Sequence, residues 1–426
     1  MEKKLYPFKF IPVASPRPWG GDALVKELGK HFVECDDEGN ETVLGADVRI
    51  GESWEIADMG IVDSVVSNGW LAGNTISELM ETYMERIVGE NVHNFYGRQF
   101  PVLIKYLDIN DRLSVQVHPD DEIAAERYDF LGKAEIWYIM DAKPGAKIYF
   151  GFNKDISAQE FYDRCQNGTV EEVLNVVYPK KGDVLYIKPG TVHAADAGIL
   201  IAEIQESSDM TFRLYDWGRE HDPMTARQMH LEEAIDVIDY CAVDPTLYRK
   251  GPLWGEEASH HPCGEACSED DHHHSEGCVV ETLIEIPQFN ATKLNLKDPL
   301  HIYTDQFESY IIYMCIDGGA SVQVPSTKEN GEAYMENYEF SKGETILVPA
   351  DMEDFYLVPR DRETVLLEVV TRPAEYVDDY IDPDTEAFLE GEDYEGLEDG
   401  VFDDDDDDDD DEPAGPTGAS PLNFFS

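Results

Sequence analysis

The chain has 426 residues, of which 42% are apolar, so it is long enough for two or three domains with well-buried cores. Its formal net charge of −58 argues against nucleic-acid or anionic-membrane partners held by a general electrostatic attraction. Any anionic substrate must therefore be bound by a few focused basic groups.

The N-terminal residues and the cysteines indicate the cellular compartment. Pro7, Lys9 and Pro12 interrupt the N-terminal apolar stretch, which therefore does not resemble a signal peptide, and no apolar run is long enough to cross a bilayer. The seven cysteines are scattered and odd in number, which is typical of a reducing environment. We expect a soluble, cytoplasmic protein whose oligomeric state the sequence does not indicate.

Residues 1–245 form the first predicted domain, which is rich in short strands. Residues 8–66 are strand-like, residues 75–89 have helical spacing, and residues 157–177 and 221–240 are predicted to be helical. Further strands are predicted at 102–107, 113–118, 136–140, 147–150, 183–188, 200–205 and 211–215. Many short alternating strands with Gly and Pro turns predict a mainly β fold, a jelly-roll barrel with accessory helices.

Three further segments follow in the chain. Residues 246–279 are predicted to be a linker, in which Cys263, Cys267, Cys278 and several histidines offer soft ligands for zinc or copper(I). We favour a mobile insertion over a folded metal site there, because the spacing matches no closed zinc module. Residues 280–372 are a second strand-rich unit, and residues 373–426 are an acidic tail, with nine consecutive Asp, that we expect to be disordered.

An internal repeat indicates that the second unit is a related barrel. Residues 181–189 (KGDVLYIKP) resemble residues 342–349 (KGETILVP), since each places a Gly turn before an apolar strand that ends on Pro. The first copy continues to His193, whereas the second has no histidine in that turn. We therefore expect two related jelly-roll barrels, of which the second binds no metal and is structural.

Four side chains of the first barrel could converge on a metal ion. Strict alternation in residues 111–119 places Gln116 and His118 on one face of a strand, and Glu135 and His193 lie at the ends of others. Two imidazoles, a carboxylate and an amide oxygen suit a divalent ion of the zinc type. Each residue taken alone has a more ordinary structural interpretation, so the hypothesis depends on their combination and spacing.

The spacing of Gly182, Gly190 and His193 matches the second cupin signature, and Gln116-x-His118 followed by Glu135 matches a variant of the first, in which Gln replaces the usual first His. We therefore expect both jelly-roll barrels to be of the cupin type. Several motifs together resemble the type I phosphomannose isomerases. The motifs are Arg17-Pro-Trp-Gly-Gly, Gly51-Glu-Ser-Trp-Glu, Lys105-Tyr-Leu, Leu113-Ser-Val-Gln-Val-His-Pro-Asp, Gly132-Lys-Ala-Glu, Gly190-Thr-Val-His and Thr211-Phe-Arg-Leu-Tyr-Asp-Trp-Gly-Arg. The resemblance implies a zinc-dependent, reversible isomerisation of mannose 6-phosphate and fructose 6-phosphate, feeding mannose and GDP-mannose metabolism.

Carried over residue by residue, the resemblance implies one zinc ion per chain and a set of active-site residues. It implies Gln116, His118, Glu135 and His193 as zinc ligands, Arg213, Glu203 and Lys133 as catalytic residues, and Ser114, Lys105 and Arg219 as substrate-binding residues. Glu203 is the first candidate for the acid/base and Lys133 the second, although Glu203 could instead be an ion-pair partner of Arg213. The guanidinium of Arg213 suits a phosphate or an enediolate.

Two other functions remain open on the sequence alone. His118, Glu135 and His193 could also serve a metal-dependent dioxygenase of the cupin fold. A non-catalytic module that binds a phosphosugar is the second alternative. The basic groups Lys133 and Arg213 favour a phosphosugar over an oxygenase substrate, and the retention of every expected site residue favours catalysis over binding alone.

Overall fold

The computed structural model describes residues 3–35, 41–44, 48–224, 226–250, 278–304, 307–328 and 330–373. These residues belong to one compact unit, Met1–Pro373. Most of the predicted linker, including Cys263 and Cys267, and the predicted acidic tail from residue 374 lie outside the described residues. Within the described part of the chain, no helix combines the length and the apolar character that a bilayer-spanning helix requires.

The N-terminal half is built from two antiparallel sheets. Its strands are β1 (Val13–Gly21), β2 (Val33–Cys35), β3 (Glu41–Val43), β4 (Ile50–Ile56), β5 (Val102–Ile109), β6 (Val115–Val117), β7 (Glu135–Ala142), β8 (Ile148–Phe152), β9 (Leu174–Val177), β10 (Val184–Ile187), β11 (His193–Ala195), β12 (Ile199–Glu206), β13 (Phe212–Tyr215) and β14 (Arg249–Lys250). One sheet has the order β1-β4-β5-β12-β7-β10-β14 and the other the order β13-β6-β11-β8-β9, while β2 and β3 form a hairpin.

Strand alternation decides which side chains enter the first barrel. On β5, β7 and β12 alternate residues enter a core shared by both sheets, which includes Leu107, Trp137 and Ile201 together with Ile148 and Phe150 of the smaller sheet. The residues between them on the same strands face the opposite way and join a second core. Lys105, Glu135 and Glu203 therefore share the barrel-facing side of their strands with these apolar residues.

The C-terminal half repeats the two-sheet arrangement, as the sequence predicts. Its strands are β15 (Cys278–Glu285), β16 (Asn290–Leu296), β17 (Leu300–Tyr303), β18 (Ile311–Asp317), β19 (Gly319–Thr327), β20 (Ala333–Ser341), β21 (Thr345–Val348), β22 (Asp354–Pro359) and β23 (Thr364–Val370). The sheets have the orders β15-β16-β23-β18-β21 and β17-β22-β19-β20, and a core of their own lies between them. The mainly β fold with two barrels is thus confirmed.

The outer face of the larger N-terminal sheet packs against the second barrel. Tyr106 and Ile204 from the first half lie in one apolar cluster with Ile312 and Leu367 from the second. Phe8 adds a β-bridge to Leu347 of the second barrel. The division of the chain at residues 245 and 280 stays a prediction, since both barrels share this core within one compact unit.

Six short helices decorate the described part of the first half. They are α1 (Ala23–Lys26), α2 (Ile76–Tyr83), α3 (Glu85–Val88), α4 (Glu90–Tyr96), α5 (Asp121–Tyr128) and α6 (Ala158–Gln166). The helix predicted over 75–89 begins as expected at a capping box formed by Thr75 and Glu78. It is interrupted at Met84, whose φ of 46° is incompatible with a continuous helix, and it resumes as α3.

Two helix predictions are wrong in extent. The helix predicted over 157–177 ends at Gln166, because Gly168 adopts a φ of 66°, and the valine-rich residues that follow form a 3₁₀ turn and β9. Residues 226–240 form turns and irregular backbone in place of the predicted helix. Some of their amides bond within the segment, as that of Ala234 does to the His230 carbonyl, whereas the His230 amide donates to the Arg213 carbonyl and the Asp239 amide to the Gly190 carbonyl.

Candidate metal centre and active site

Three of the four predicted metal ligands meet inside the first barrel. His118 follows β6, Glu135 begins β7 and His193 begins β11, and all three side chains are fully buried. Oε1 of Glu135 lies 3.6 Å from Nε2 of His118 and 3.4 Å from Nε2 of His193. Ligand atoms about 2.1 Å from a tetrahedral ion are about 3.4 Å apart, so this spacing suits a zinc-sized ion.

Hydrogen bonds to backbone carbonyls orient both imidazoles. Nδ1 of His118 lies 2.9 Å from the Met210 carbonyl, and Nδ1 of His193 lies 2.9 Å from the Thr191 carbonyl. Because a carbonyl only accepts, Nδ1 carries the proton in each ring, and Nε2 of a neutral ring presents a lone pair to the centre. Ligating histidines in metalloproteins are oriented by this kind of bond.

The electrostatics of the triad favour a cation between its members. Burial lowers the pKa of both histidines, that of His193 to about 3, so the rings are neutral. Burial alone would raise the pKa of Glu135, but the charge of Lys133 and the neighbouring imidazoles hold it well below its usual range. Oε1 of Glu135 is fully buried and accepts no hydrogen bond from any described residue, so its electron pairs face the two imidazoles without a donor.

Gln116, the fourth predicted ligand, lies at the same centre on β6. Its Nε2 is 3.2 Å from Nε2 of His193, and its Oε1 accepts a hydrogen bond of 3.3 Å from the hydroxyl of Ser114. The amide nitrogen therefore faces the histidine in this arrangement, and a rotation of the amide would turn the oxygen towards it. Ser114, predicted to contact substrate, thus holds Gln116 by a direct contact.

Lys133 lies directly against the triad. Its ammonium group donates to Oε2 of Glu135, the oxygen that does not face the histidines, and lies 3.4 Å from Nε2 of His118. The side chain is 3% exposed, so the ammonium charge is placed in a largely dry environment next to the carboxylate. Lys133 was predicted as a catalytic residue, and that role stays a prediction.

Glu203 is buried on β12 beside the triad. Its Oε1 accepts a hydrogen bond of 2.8 Å from Nε1 of Trp137, and its Oε2 lies 3.8 Å from Nζ of Lys105. Burial and the negative charge of Glu135 raise the pKa of Glu203 to about 7. The described contacts of this carboxylate are therefore with Trp137 and Lys105. The sequence had also allowed a pairing with Arg213.

Lys105 stands at the centre of a buried charge network that the sequence indicates only in part. Its ammonium lies 3.1 Å from Asp209 and 3.9 Å from Glu52, in addition to Glu203, and 4.5 Å from the ring of Trp54. Burial opposes the charged form, but the three carboxylates outweigh it and raise the pKa of Lys105. Asp209 was not among the predicted site residues, although it lies within the segment between Glu203 and Arg213.

The motifs that begin at Arg17 and Gly51 supply further buried charges, which were not among the predicted site residues. Arg17 pairs with Glu52 at 2.9 Å, and Glu52 also accepts a hydrogen bond of 2.7 Å from Nε1 of Trp54. The charges of Arg17 and Lys105 overcome burial and lower the pKa of Glu52 to about 2. The motif spacing was the only sequence signal for Glu52, which is buried and not a surface carboxylate.

Arg213 lies on β13 within a cluster of guanidinium groups. Burial and the neighbouring charge of Arg227 lower the pKa of Arg213 to about 10, with Arg17 and Arg219 contributing in the same direction. Asp216 is fully buried and accepts from Arg219 at 2.7 Å and from Arg227 at 2.6 Å. Three arginines thus surround one carboxylate, an arrangement with a net positive charge that suits a phosphate group.

Known proteins similar to this chain share both its sequence and its fold. The family model described as phosphomannose isomerase type I, catalytic domain, matches residues 8–144. The mannose-6-phosphate isomerase ManA of Bacillus subtilis is 33% identical over 352 residues, which cover 82% of this chain and 95% of that protein. The mannose-6-phosphate isomerase of Streptococcus mutans is 39% identical over 220 residues, 52% of this chain and 64% of that protein.

Solved structures give the same result. A crystal structure of mannose 6-phosphate isomerase from Bacillus subtilis superposes with a TM-score of 0.67 at 26% identity, covering 86% of this chain and 99% of that one. A phosphomannose isomerase from Salmonella typhimurium superposes with a TM-score of 0.61 at 15% identity, covering 86% and 99%, which supports the fold alone.

Proposed function

Because this chain belongs to the type I phosphomannose isomerase family, we propose that it is a zinc-dependent enzyme that interconverts mannose 6-phosphate and fructose 6-phosphate. The observation that carries the proposal is the buried triad of His118, Glu135 and His193. Lys133 and Glu203 lie beside it, and Arg213 lies opposite Gln116 in the strand ladder. Family membership favours an isomerase over the cupin dioxygenase that the same three ligands could serve.

One zinc ion per chain would be held by the two Nε2 atoms and Oε1 of Glu135. Gln116 would complete the protein ligands through its amide oxygen after rotation of the amide, and its link to Ser114 keeps it at the site. Bound zinc supplies a Lewis acid that polarises a sugar oxygen and stabilises negative charge on it. Neutral imidazoles and an ionised carboxylate are the protonation states that such binding requires.

Proton transfer between C1 and C2 of the open-chain sugar is the chemical step. A base removes the C2 proton of the aldose while the C1 carbonyl oxygen takes up a proton, which gives a cis-enediol with a C1–C2 double bond. A proton is then delivered to C1 while the C2 hydroxyl loses its proton and becomes the carbonyl, so the net change moves one proton from C2 to C1 and one from the C2 oxygen to the C1 oxygen. Glu203 is the first candidate for this base, because its raised pKa of about 7 lies near the operating pH. Lys133 is the second candidate and would otherwise stabilise the enediolate oxygen as a fixed cation.

The arginine cluster would recognise the phosphate. Arg213 is surrounded by like charges, so a bound phosphate would relieve repulsion within the protein as well as form charge-assisted hydrogen bonds. Asp216 fixes Arg219 and Arg227 so that both guanidinium groups are oriented before substrate arrives. Lys105 and Ser114 would complete the pocket near the metal ligands.

A coupled assay for fructose 6-phosphate formed from mannose 6-phosphate tests the proposal. The purified protein would be assayed as prepared, after chelation, and after zinc is restored. Turnover should vanish with the chelator and return with zinc. A folded, zinc-loaded protein that gives no turnover would contradict the isomerase function, and mannose 6-phosphate binding without turnover would then favour the non-catalytic module.

His193→Ala and Arg213→Ala separate the metal from the phosphosugar contacts. His193→Ala should lose bound zinc and activity together, because one ligand of the buried centre is removed. Arg213→Ala should retain zinc and lose turnover. Full activity in His193→Ala would show that the ligand set is wrong, with zinc content measured on the same samples.

A further inference from the structure

The segment that carries Lys133 into the active site is held through three successive backbone amides. The Gly132 amide donates to Oδ1 of Asp121 at 2.9 Å, the Lys133 amide to the Pro119 carbonyl at 3.0 Å, and the Ala134 amide to Oε2 of Glu206 at 2.6 Å. This segment is irregular and lies just before β7. Two carboxylates thus bracket Lys133, one on each side.

The contact of Gly132 with helix α5 requires the absence of a side chain. A Cβ atom at this position would lie 2.6 Å from the carbonyl carbon of Asp120 and 2.6 Å from the amide nitrogen of Asp121. The loop can therefore pack against the first turn of α5 only as glycine, and this close approach lets the Asp121 carboxylate reach the Gly132 amide. Helix α5 itself is fixed by Asp120, which accepts from the Ile123 amide at 2.9 Å.

Glu206, the last residue of β12, holds the other side of the segment 132–134. It is 1% exposed, and its own amide donates to the Ala134 carbonyl at 3.1 Å, so two hydrogen bonds join Glu206 to Ala134. Burial and the nearby Asp121 carboxyl raise the pKa of Glu206 well above its usual range. The Asp121 carboxyl lies within hydrogen-bonding reach of the Glu206 side chain, which links the two supports into one clamp.

We propose that Asp121 and Glu206 are positioning residues that fix the Lys133 ammonium against Glu135 and His118 by clamping residues 132–134. This inference rests on the proposed isomerase function of the same site. Glu135 itself lies in the β7 ladder, where it pairs with Ile187 and Gln205. Loss of the clamp should therefore displace Lys133 while the metal ligand stays in its register.

Glu206→Gln and Glu206→Ala form the first matched pair of variants. Glutamine keeps an oxygen for the Ala134 amide and an N–H group for Asp121, so kcat should stay within about threefold of the parent protein. Alanine removes both bonds, and kcat should fall roughly 10- to 100-fold with KM nearly unchanged and zinc retained, because a misplacement of about 1 Å can cost that much. Asp108→Ala is the control, since Asp108 is also buried and accepts a backbone amide, that of Ala23, at 2.6 Å.

Asp121→Ala provides the second variant in case Glu206→Ala does not fold. Asp121 is exposed, so its removal leaves the core intact, and Glu122→Ala is the control from the same first turn of α5. Asp121→Ala should lower kcat, Asp121→Asn should restore most of it, and Glu122→Ala should leave it unchanged. Hydrogen exchange of the Gly132 and Ala134 amides, measured on the same samples, should accelerate in the alanine variants alone.

The outcomes separate this inference from the proposed function. If the parent protein is inactive with zinc, the isomerase function fails, and amide exchange still reports whether the two carboxylates hold the segment. If the parent protein is active and both alanine variants keep its kcat, the positioning role is wrong. Unchanged exchange at Gly132 and Ala134 would overturn the clamp whatever the activity.

Discussion

Zinc should stabilise the folded protein through His193, and the size of the effect can be calculated. A ligand that binds only the folded state at about one hundred times its Kd adds about 2.7 kcal/mol to the free energy of unfolding. The compact unit ends at Pro373, so at about 2.1 cal/mol/K per residue its unfolding entropy near Tm is about 0.8 kcal/mol/K. Zinc should therefore raise Tm by about 3 to 4 °C.

The assay is thermal unfolding of chelated protein with and without added zinc, for the parent chain and for His193→Ala. The variant should show no zinc-dependent shift in Tm, whatever its own stability, because the comparison is made within each protein. His301→Ala is the control, since His301 belongs to the second barrel, where it pairs with Asp354 at 2.6 Å. It should retain the full shift.

The cysteines and histidines of the predicted linker could bind zinc independently. The same measurement is therefore repeated in the Cys263→Ser/Cys267→Ser double variant. Zinc content above one per chain that falls to one in this background would assign the excess to the linker. A shift of equal size in His193→Ala and in the parent chain, in both backgrounds, would refute the metal site inside the first barrel.

Four other predictions follow from the described contacts. Replacement of Arg213 by lysine should recover little of the turnover lost in Arg213→Ala, because an ammonium cannot reproduce a bidentate guanidinium, and steady-state kinetics with a zinc determination would check this. Glu203→Gln should lower kcat by two orders of magnitude or more while zinc is retained. In the parent chain kcat should fall as pH decreases below about 7, since protonation of Glu203 removes the base, and a flat profile between pH 6 and 8 would contradict that role. Lys30→Met should cost about 3 to 5 kcal/mol in urea unfolding, because it leaves the buried Glu55 carboxylate uncompensated, and Lys30→Met/Glu55→Leu should recover most of this loss.

Strand alternation explains why much of the candidate centre could be predicted from the sequence. A period of two residues fixes the side of the sheet on which a side chain lies, so Gln116 and His118 share a face, as do Glu135 and Trp137. The turn glycine at 190 places His193 at the start of β11, opposite Gln116 in the ladder. Local pattern is sufficient for these positions because neighbouring strands of one barrel bring equivalent faces together.

Partners across the barrel could not be predicted, because they depend on strand order. Lys105 faces Glu203 only because β5 lies beside β12, and Glu52 approaches the same lysine because β4 pairs with the other edge of β5. Nothing in the sequence near Asp209 indicates that it contacts Lys105, over one hundred positions earlier. The helix predicted over 221–240 failed for a similar reason, since the His230 amide bonds to β13 and the Asp239 amide bonds to the turn at Gly190.

The charge of the chain gives these buried networks a further significance. At a formal net charge of −58, the protein as a whole repels a phosphosugar, so affinity must come from positive charge concentrated at short range. The arginines around Arg213 would provide this concentration, and burial together with the charge of Arg227 lowers the pKa of the Arg213 guanidinium. Asp216 offsets part of the repulsion by binding Arg219 and Arg227, and a phosphate dianion would offset more. Under the proposed function, a bound phosphosugar would therefore add negative charge where the described arginines concentrate positive charge.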